Sequence, residues 1–351
     1  GVFGIMANVL ATYVILFVLF GAFLEKSGAQ RFFIDWPLAA VGHKIGGPAK
    51  VSVIASGLFG SISGSAISNT VSTGSFTIPM MKKAGFKPHV AGGIEPAASI
   101  GGMFMPPIMG AGGFIMAELT GEPYSTIMLV AIFPALMYFF SVYVMVHYEA
   151  KRHNIRGEKS EVKASEIFKR EWFYILPLVS ITILMLMGYS PGYSAIIGII
   201  TCIGVSWFRK ETRIGPKRFL EASRGGTENS LKIGATVGVI GIIIGVLTYS
   251  GLVLTFADIV IELADGKLWL TILLIALASL ILGMGVPVTA AYLITAVVAV
   301  PALTELGVNP LAAHMIVYWL SQDSNITPPV CIAAFAGATI AKANMWKTAF
   351  T

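Results

Sequence analysis

Charge is what this chain has least of. Only 12% of its 351 residues are charged, against 56% hydrophobic, whereas an ordinary soluble domain carries about a quarter charged residues. Charged side chains are missing altogether from residues 1–24, 51–81, 96–117, 123–148, 172–208, 233–257, 268–304 and 324–341. Each run reaches or approaches the roughly 20 residues that cross a hydrocarbon core, and two are long enough for a pair. A soluble globular fold is excluded and a polytopic α-helical membrane protein is predicted. Cysteine is nearly absent too. Cys202 and Cys331 both lie in apolar runs, so no disulfide framework is implied. Gly1 opens directly on an apolar segment with no basic residues before it, so no signal peptide is predicted. The chain is expected to be a piece of something longer.

Acidic residues are the scarcer sign, 18 against 24 Lys and Arg. The basic residues gather at Lys82, Lys83 and Lys87, in 151–170, in 209–232, and at Lys342 and Lys347, whereas Glu118, Glu122, Asp258, Glu262, Asp265 and Glu305 stand between them. With spans at 86–118, 123–148, 172–188, 191–208, 233–256 and 309–341, every basic group but Lys267 falls on one face. The positive-inside rule makes that face cytoplasmic, with loops 151–171 and 209–232 on it. The basic segments are separated by spans and lack interleaved aromatics, which argues against a nucleic-acid surface.

Against this background the stretch GSISGSAISNTVSTGS, Gly60 to Ser75, is unusually polar: nine of the fifteen residues from Ser61 to Ser75 are Ser, Thr or Asn. An internal repeat accounts for it. A gapless shift of 222 residues aligns Leu58 with Leu280, Thr73 with Thr295, Pro79 with Pro301, Gly85 with Gly307 and Pro88 with Pro310. It also aligns Ala91 with Ala313, Ile94 with Ile316, Ser99 with Ser321, Pro106-Pro107 with Pro328-Pro329, and Ala111 with Ala333. That is eleven identities over 54 positions, where chance gives about four at typical residue frequencies. Five crossings separate the two units, so they are inverted with respect to the membrane. The predicted fold is an all-α integral membrane protein with inverted repeats, two re-entrant helical hairpins and two helices broken at Pro-Pro, an architecture of secondary transporters.

The hairpins are predicted over 51–81 and 268–304. The tip of the first is the Ser/Gly/Asn segment, and that of the second is Gly283-Met-Gly-Val-Pro287-Val-Thr289. Non-helical backbone at membrane depth needs protein or water to satisfy it, so each tip implies a polar cavity. Freed carbonyls and hydroxyls suit a hard cation such as sodium, and free N–H ends suit a carboxylate. Close packing by a Ser/Thr-rich helix is the competing explanation. Apart from terminal caps, only two carboxylates fall inside the proposed spans, Glu95 and Asp323, in the two equivalent helices. Intramembrane carboxylates default to functional roles. Asp323 could lend charge to a cation site or carry a proton, and Glu95 could serve coupling or make a structural hydrogen bond. His314 is expected to be structural and His89 interfacial.

GSISGSAISNTVSTGSFTIPMMKKAGFKP, followed by GGIEPAASIGGMFMPPIMGAGGFIMAE, resembles the large membrane subunit of TRAP (tripartite ATP-independent periplasmic) transporters. MGVPVTAAYLITAVVAVPAL with SQDSNITPPVCIAAFAGATIAKA resembles the second repeat of that family, and the likeness covers most of residues 45–345. It is narrower to the form in which small and large membrane subunits are fused. The resemblance implies secondary, usually sodium-coupled uptake of small organic acids delivered by a periplasmic substrate-binding protein. It also implies an elevator motion of the hairpins and broken helices against a scaffold. It places substrate at Ser61, Ser63, Gly64, Ser65, Asn69, Thr73 and Thr289. The cation would lie at Ser65, Asn69, Gly101, Gly102, Gly283, Gly285, Asp323, Ser324, Asn325 and Thr327, with structural or coupling roles for Glu95, Pro106, Pro107, Pro328 and Pro329.

The corresponding division is a scaffold helix and an interfacial helix in 1–45, a first transport repeat in 46–118, and scaffold helices with basic loops in 119–266. A second transport repeat fills 267–345, and a truncated end fills 346–351. No cofactor is expected beyond sodium, or a proton, as coupling ion. No Arg or Lys lies in the predicted hairpins or broken helices, so dipoles, hydroxyls or sodium would meet the substrate carboxylate. The chain stops before a span to pair with 123–148 and lacks small-subunit helices, so its activity alone is in question. Ser68-Asn69-Thr70 resembles the SNT motif of divalent-anion symporters, but the Pro-Pro blocks fit TRAP better. An intramembrane serine protease would need a serine beside a histidine base, yet His89 and His314 fall near opposite faces, so no enzyme is expected. A passive channel is disfavoured by the paired inverted hairpins.

Overall fold

The computed structural model describes residues 5–351, which form helices and connecting turns, with no strand among them. A first span is built of α1 (Ile5–Val9), a π-helical turn at Leu10–Val14 and α2 (Ile15–Lys26), and α3 (Ala29–Val41) follows it. Next come α4 (Gly47–Ser63), α5 (Ala66–Lys83), α6 (Pro88–Gly101) and α7 (Gly110–Thr120). The middle of the chain holds α8 (Tyr124–Arg152), α9 (Ala164–Glu171), α10 (Leu176–Leu186), α11 (Pro191–Ser206), α12 (Pro216–Tyr249) and α13 (Leu252–Leu263). The last part holds α14 (Leu268–Leu282), α15 (Val288–Glu305), α16 (Pro310–Asp323), α17 (Ile332–Ala341) and α18 (Met345–Ala349).

The repeat is visible in the helix boundaries. Shifting by 222 residues carries Ala66–Lys83 onto Val288–Glu305 and Pro88–Gly101 onto Pro310–Asp323, end for end. The same shift carries the start of α7 at Gly110 onto the start of α17 at Ile332. The boundaries coincide because the repeat conserves the residues that set them. Pro88 and Pro310 each occupy the first helical turn, where a missing N–H costs nothing, and Gly85 and Gly307 take the positive φ of the preceding turn (110° and 84°). Pro106-Pro107 and Pro328-Pro329 fall in the two breaks, and both bonds are cis. Packing repeats as well: α4 and α5 lie against α6, and α14 and α15 lie against α16. The half-helices cross over, with α17 seated on α5 and α6, and α7 seated on α15 and α16.

The first tip is a two-residue connection. Gly64 ends α4 in the left-handed region (φ 63°), and Ser65 caps α5 by accepting the Ser68 backbone N–H at 3.2 Å. At the second, Gly283 to Pro287 join α14 to α15, with Gly285 at φ 70°.

Two sequence expectations change. The segment 209–232 is a loop only as far as Gly215, and α12 then runs unbroken for 34 residues into the predicted span. That span ends at Tyr249 rather than 256, and the separate α13 follows a turn at Ser250-Gly251. A helix that begins outside the membrane and continues into it has no charge boundary at the interface. The first arm of the hairpin also starts at Gly47 rather than Val51, so it includes Lys50, buried at its foot with Nζ 3.0 Å from Nδ1 of His147.

The basic ends share one face, as expected. Lys26 pairs with Glu221 at 3.8 Å, Lys83 with Glu158 at 4.0 Å and Arg209 with the buried Glu171 at 3.1 Å. Ile45 bridges to Arg156, and the Lys82 ammonium donates to the Ala341 carbonyl at 2.7 Å. On the opposite face Glu118 and Glu122 line a smaller cavity of about 480 Å³ with Tyr13, Tyr124 and the 188–191 turn.

Candidate functional site

Glu95 is fully buried near the middle of α6 and accepts hydrogen bonds from four hydroxyls of the hairpin arms, with the Ser99 hydroxyl of α6 itself 3.4 Å away. Ser52 and Ser56 reach it from α4, and Thr73 and Thr77 from α5. Each donor pair is spaced by four residues, one turn apart on the arm's inner face. The four arm hydroxyls come from both arms, so the carboxylate ties the first hairpin to α6. The network extends one step to the tip: the Ser56 and Thr73 hydroxyls lie 3.0 Å apart, the Thr73 hydroxyl oxygen is also 2.6 Å from the Asn69 carbonyl, which is its alternative acceptor, and the Asn69 side-chain amide donates to the Ser56 carbonyl at 2.9 Å. In the second repeat the positions equivalent to Ser52, Ser56, Thr77 and Glu95 are Leu274, Ala278, Ala299 and Val317. The carboxylate clasp belongs to the first repeat alone.

Each hairpin presses its end against the break of its own helix. A methyl group on Gly102 would stand 2.4 Å from the Gly60 Cα, and one on Gly60 would stand 2.7 Å from Asn69 Nδ2. In the second repeat a methyl group on Gly283 would meet Ser324 Oγ at 2.2 Å. Only glycine allows such approaches. Three tyrosines bond the carbonyls in and before the first break. Tyr318 donates to the carbonyls of Met103 (2.9 Å) and Met109 (2.6 Å), joining the two broken helices, Tyr124 donates to those of Pro107 (2.9 Å) and Ile108, and Tyr138 donates to that of Ala97 (2.8 Å).

The second break carries polar atoms that the protein does not satisfy. Both side-chain polar atoms of Gln322 and the side-chain oxygen of Asn325 are buried without a hydrogen-bond partner among the described residues. Such atoms are rare in a folded interior and ask for a ligand. Asp323, half-buried, ends α16, where the last carbonyls already concentrate partial negative charge. An aspartate there favours a nearby cation. No cluster of three or more His, Cys, Asp or Glu that could hold a metal ion occurs among the described residues.

A cavity of about 740 Å³ lies between the hairpin tips, α2 and α12. Three helices begin at it. Ser63 to Ser65 and Ser68 bring the start of α5, Gly110 and Ala111 the start of α7, and Pro287 and Thr289 the start of α15. Helix N-termini present free N–H groups and the positive end of the dipole, which together form an anion site. Lys26 and Lys232 also line the cavity, from helices outside the repeats.

The expected substrate residues therefore divide. Ser63, Gly64, Ser65 and Thr289 line the cavity. Ser61 is buried and donates to the Leu58 carbonyl at 2.8 Å, while Asn69 and Thr73 lie within the Glu95 network. Of the expected cation residues, Asn69 meets Gly60 beside Gly102, and Gly283 meets Ser324 beside Asn325. Gly101 packs instead on Tyr138 and Phe139. Pro106, Pro107, Pro328 and Pro329 occupy the breaks, and Gly285 and Thr327 stand in the turns of the second repeat. His314 is bound to the Tyr292 hydroxyl at 2.9 Å, as a structural histidine would be. Ser52, Ser56, Thr77, Gln322 and Lys232 were not singled out from the sequence. The i, i+4 hydroxyl pairs on facing arms were the available signal for the first three.

Residues 2–350 match the family described as "Tripartite ATP-independent periplasmic transporter, DctM component". A TRAP transporter large permease protein of Haemophilus influenzae is 25% identical over 320 residues, 90% of this chain and 74% of the relative. The C4-dicarboxylate TRAP transporter large permease protein DctM of Pseudomonas aeruginosa is 26% identical over 347 residues, covering 94% and 79%. The sialic acid TRAP transporter large permease protein SiaM of Vibrio cholerae is 25% identical over 327 residues, covering 91% and 74%. Among solved structures, the YdaH transporter of Alcanivorax borkumensis shares the fold at a TM-score of 0.63 and 17% identity, over 99% of this chain and 83% of that one.

Proposed function

The chain belongs to the DctM component family of tripartite ATP-independent periplasmic transporters, and from that premise we propose that it carries small carboxylates through the cavity between its hairpin tips. It is a multi-pass membrane permease rather than an enzyme. The observation that carries the proposal is the convergence of three helix N-termini, those of α5, α7 and α15, on one 740 Å³ cavity. Their N–H groups, with the Ser63, Ser65 and Thr289 side chains, supply donors for a carboxylate without a charged residue in either tip.

Cation coupling is read from the opposite helix ends. The C-termini of α6 and α16 meet the breaks, where carbonyl oxygens, the Asn325 and Gln322 side-chain oxygens and the Asp323 carboxylate suit a hard ion such as sodium. Gly101, Gly102, Gly283, Ser324 and Thr327 complete the two neighbourhoods in this reading. The carboxylate would arrive from a periplasmic binding protein, and a small membrane subunit would complete the permease. The two repeats, held together by the crossed half-helices, would move as one body against α1–α3 and α8–α13.

Proteoliposomes holding the complete transporter with its binding protein test this. Uptake of labelled succinate or N-acetylneuraminate is expected to require an inward sodium gradient. Uptake that persists with neither a sodium nor a proton gradient overturns the coupling.

A further inference from the structure

The turn that joins α11 to α12 has a fixed shape and a one-sided charge. The Ser206 hydroxyl donates to the Ile203 carbonyl at 2.6 Å and accepts the Ile214 backbone N–H at 3.0 Å. The Thr212 hydroxyl donates to the Ser206 carbonyl at 3.1 Å, and the Tyr174 hydroxyl, just before α10, donates to Thr212 at 3.3 Å. Ser206 and Ile214 are buried, so the residues between them are turned outward: Trp207, Phe208, Lys210, Glu211 and Arg213 are exposed. The Arg213 guanidinium lies over the Trp207 ring, 5.5 Å from its centre. α12 then opens with Lys217, Phe219 and Leu220 exposed as well. From Arg209 to Arg218 five basic residues stand against one acidic residue, Glu211. Arg209 is held by Glu171 at 3.1 Å, whereas Lys210, Arg213, Lys217 and Arg218 form no ion pair among the described residues.

The same segment stands at the edge of the bilayer. α10 and α11 pack side by side, with Trp172 and Trp207 at one end and the stacked Tyr189 and Tyr193 rings (5.3 Å) at the other. Between these ends the exposed side chains are apolar, among them Val179, Ile183, Ile196 and Ile200. An apolar band with aromatic ends is the mark of a lipid-facing surface, and Trp207 and Phe208 lie where that band gives way to the basic face. An acidic soluble partner would meet only the charges, whereas a phospholipid meets both halves. Its phosphate suits the planar guanidinium and the ammonium groups, and its glycerol backbone and upper acyl chains suit the exposed rings. We propose that Trp207–Leu220 binds an anionic phospholipid of the cytoplasmic leaflet, with Lys210, Arg213 and Lys217 on the headgroup and Trp207 and Phe208 against the chains. The inference goes beyond the transport reading and does not depend on it. It gives α12, which goes on to line the cavity with Ala222, Gly225 and Asn229, a lipid anchor at its start.

The test is lipid binding to the complete purified transporter in detergent, followed by native mass spectrometry over titrations with phosphatidylglycerol and phosphatidylcholine. Phosphatidylglycerol is expected to bind about tenfold tighter or more, as a basic segment beside an anionic lipid does. The Lys210→Gln/Arg213→Gln/Lys217→Gln variant should lose about tenfold or more of that affinity and bind phosphatidylcholine as before. Trp207→Ala should weaken phosphatidylglycerol about threefold. A Lys151→Gln/Lys159→Gln/Lys163→Gln variant removes as much charge from the other basic loop and should stay within about twofold. All of these side chains are exposed, so each variant should melt at the unaltered temperature without lipid. Should the triple variant at 210, 213 and 217 fail to purify, Arg213→Gln alone is expected to lose about threefold, and its unaltered affinity would refute the site. Equal binding of the two lipids by the unaltered protein overturns the inference, and so does an equal loss in the 151, 159 and 163 variant. Displacement of the lipid by an equal concentration of glycerol 3-phosphate also overturns it, since that makes the site one for soluble anions.

Discussion

Replacing Glu95 with alanine tests whether the four-hydroxyl clasp holds the first hairpin to α6. The hydroxyls lose their common acceptor, but not equally. Thr73 keeps the Asn69 carbonyl at 2.6 Å, Thr77 keeps the Thr73 carbonyl at 3.2 Å, and Ser56 keeps Thr73 at 3.0 Å. Ser52 keeps no other described hydrogen bond. One orphaned buried hydroxyl costs about 1–3 kcal/mol, and hydrogen bonds to a charged group contribute about 1.5–3 kcal/mol each. Because three donors re-pair, the expected loss is about 3–5 kcal/mol rather than the full sum. Glu95→Gln keeps the shape and one acceptor oxygen, so the hydroxyls reorient and the loss falls to about 1–2 kcal/mol. Thermal unfolding of the purified protein in detergent reads both. At about 2 °C per kcal/mol, Glu95→Ala should melt roughly 6–10 °C lower. A Ser52→Ala/Glu95→Ala double variant should be less destabilised than the sum of its parts, because Ser52 has no partner left to lose. An alanine variant that melts within about 1 °C of the unaltered protein would refute the clasp.

Further outcomes follow from the same coordinates. Gly102→Ala drives a methyl group into the Gly60 backbone and should reduce uptake at least tenfold, whereas Gly204→Ala, with open space at its position, should transport normally. Tyr318→Phe removes the hydroxyl that joins Met103 and Met109 and should lower stability by about 1–3 kcal/mol, read by the same unfolding assay. Asp323→Asn should raise the sodium concentration for half-maximal uptake with protein yield unaltered, and unchanged sodium dependence would leave Asp323 outside the cation site. Ser65→Ala removes the cap on α5 together with a cavity hydroxyl and should weaken carboxylate binding more than Ser61→Ala, whose hydroxyl is turned to the Leu58 carbonyl.

The repeat was legible because backbone breaks are written in residues that cannot be replaced freely. Pro88, Pro310, Gly85 and Gly307 place the helix starts within the chain, and the spacing of 222 carries one set onto the other. Hydropathy misplaced α12, since charge counting treats Lys232 as a boundary, while a cavity lets a lysine stand inside a span. The hydroxyl-rich tip was legible as polar, but not the direction in which each side chain points. Positions four apart on a helix share a face, so Asn69 and Thr73 turn inward to the clasp while Ser65 and Ser68 face the cavity. The cavity joins α2, α12 and two hairpin tips from four distant stretches of chain, and no local spacing announces that.

The missing clasp in the second repeat has a mechanical consequence. Hydrogen bonds to a carboxylate are directional, so separating the first hairpin from α6 is an all-or-none rupture of several bonds at once. Leu274, Ala278, Ala299 and Val317 offer only dispersion contacts, which survive small slips and weaken gradually with distance. The duplicated halves thus share a shape but not a fastening: the first hairpin is riveted to α6 through one carboxylate, whereas the second is pinned to α16, among the described residues, by the single Tyr292–His314 hydrogen bond and otherwise yields gradually.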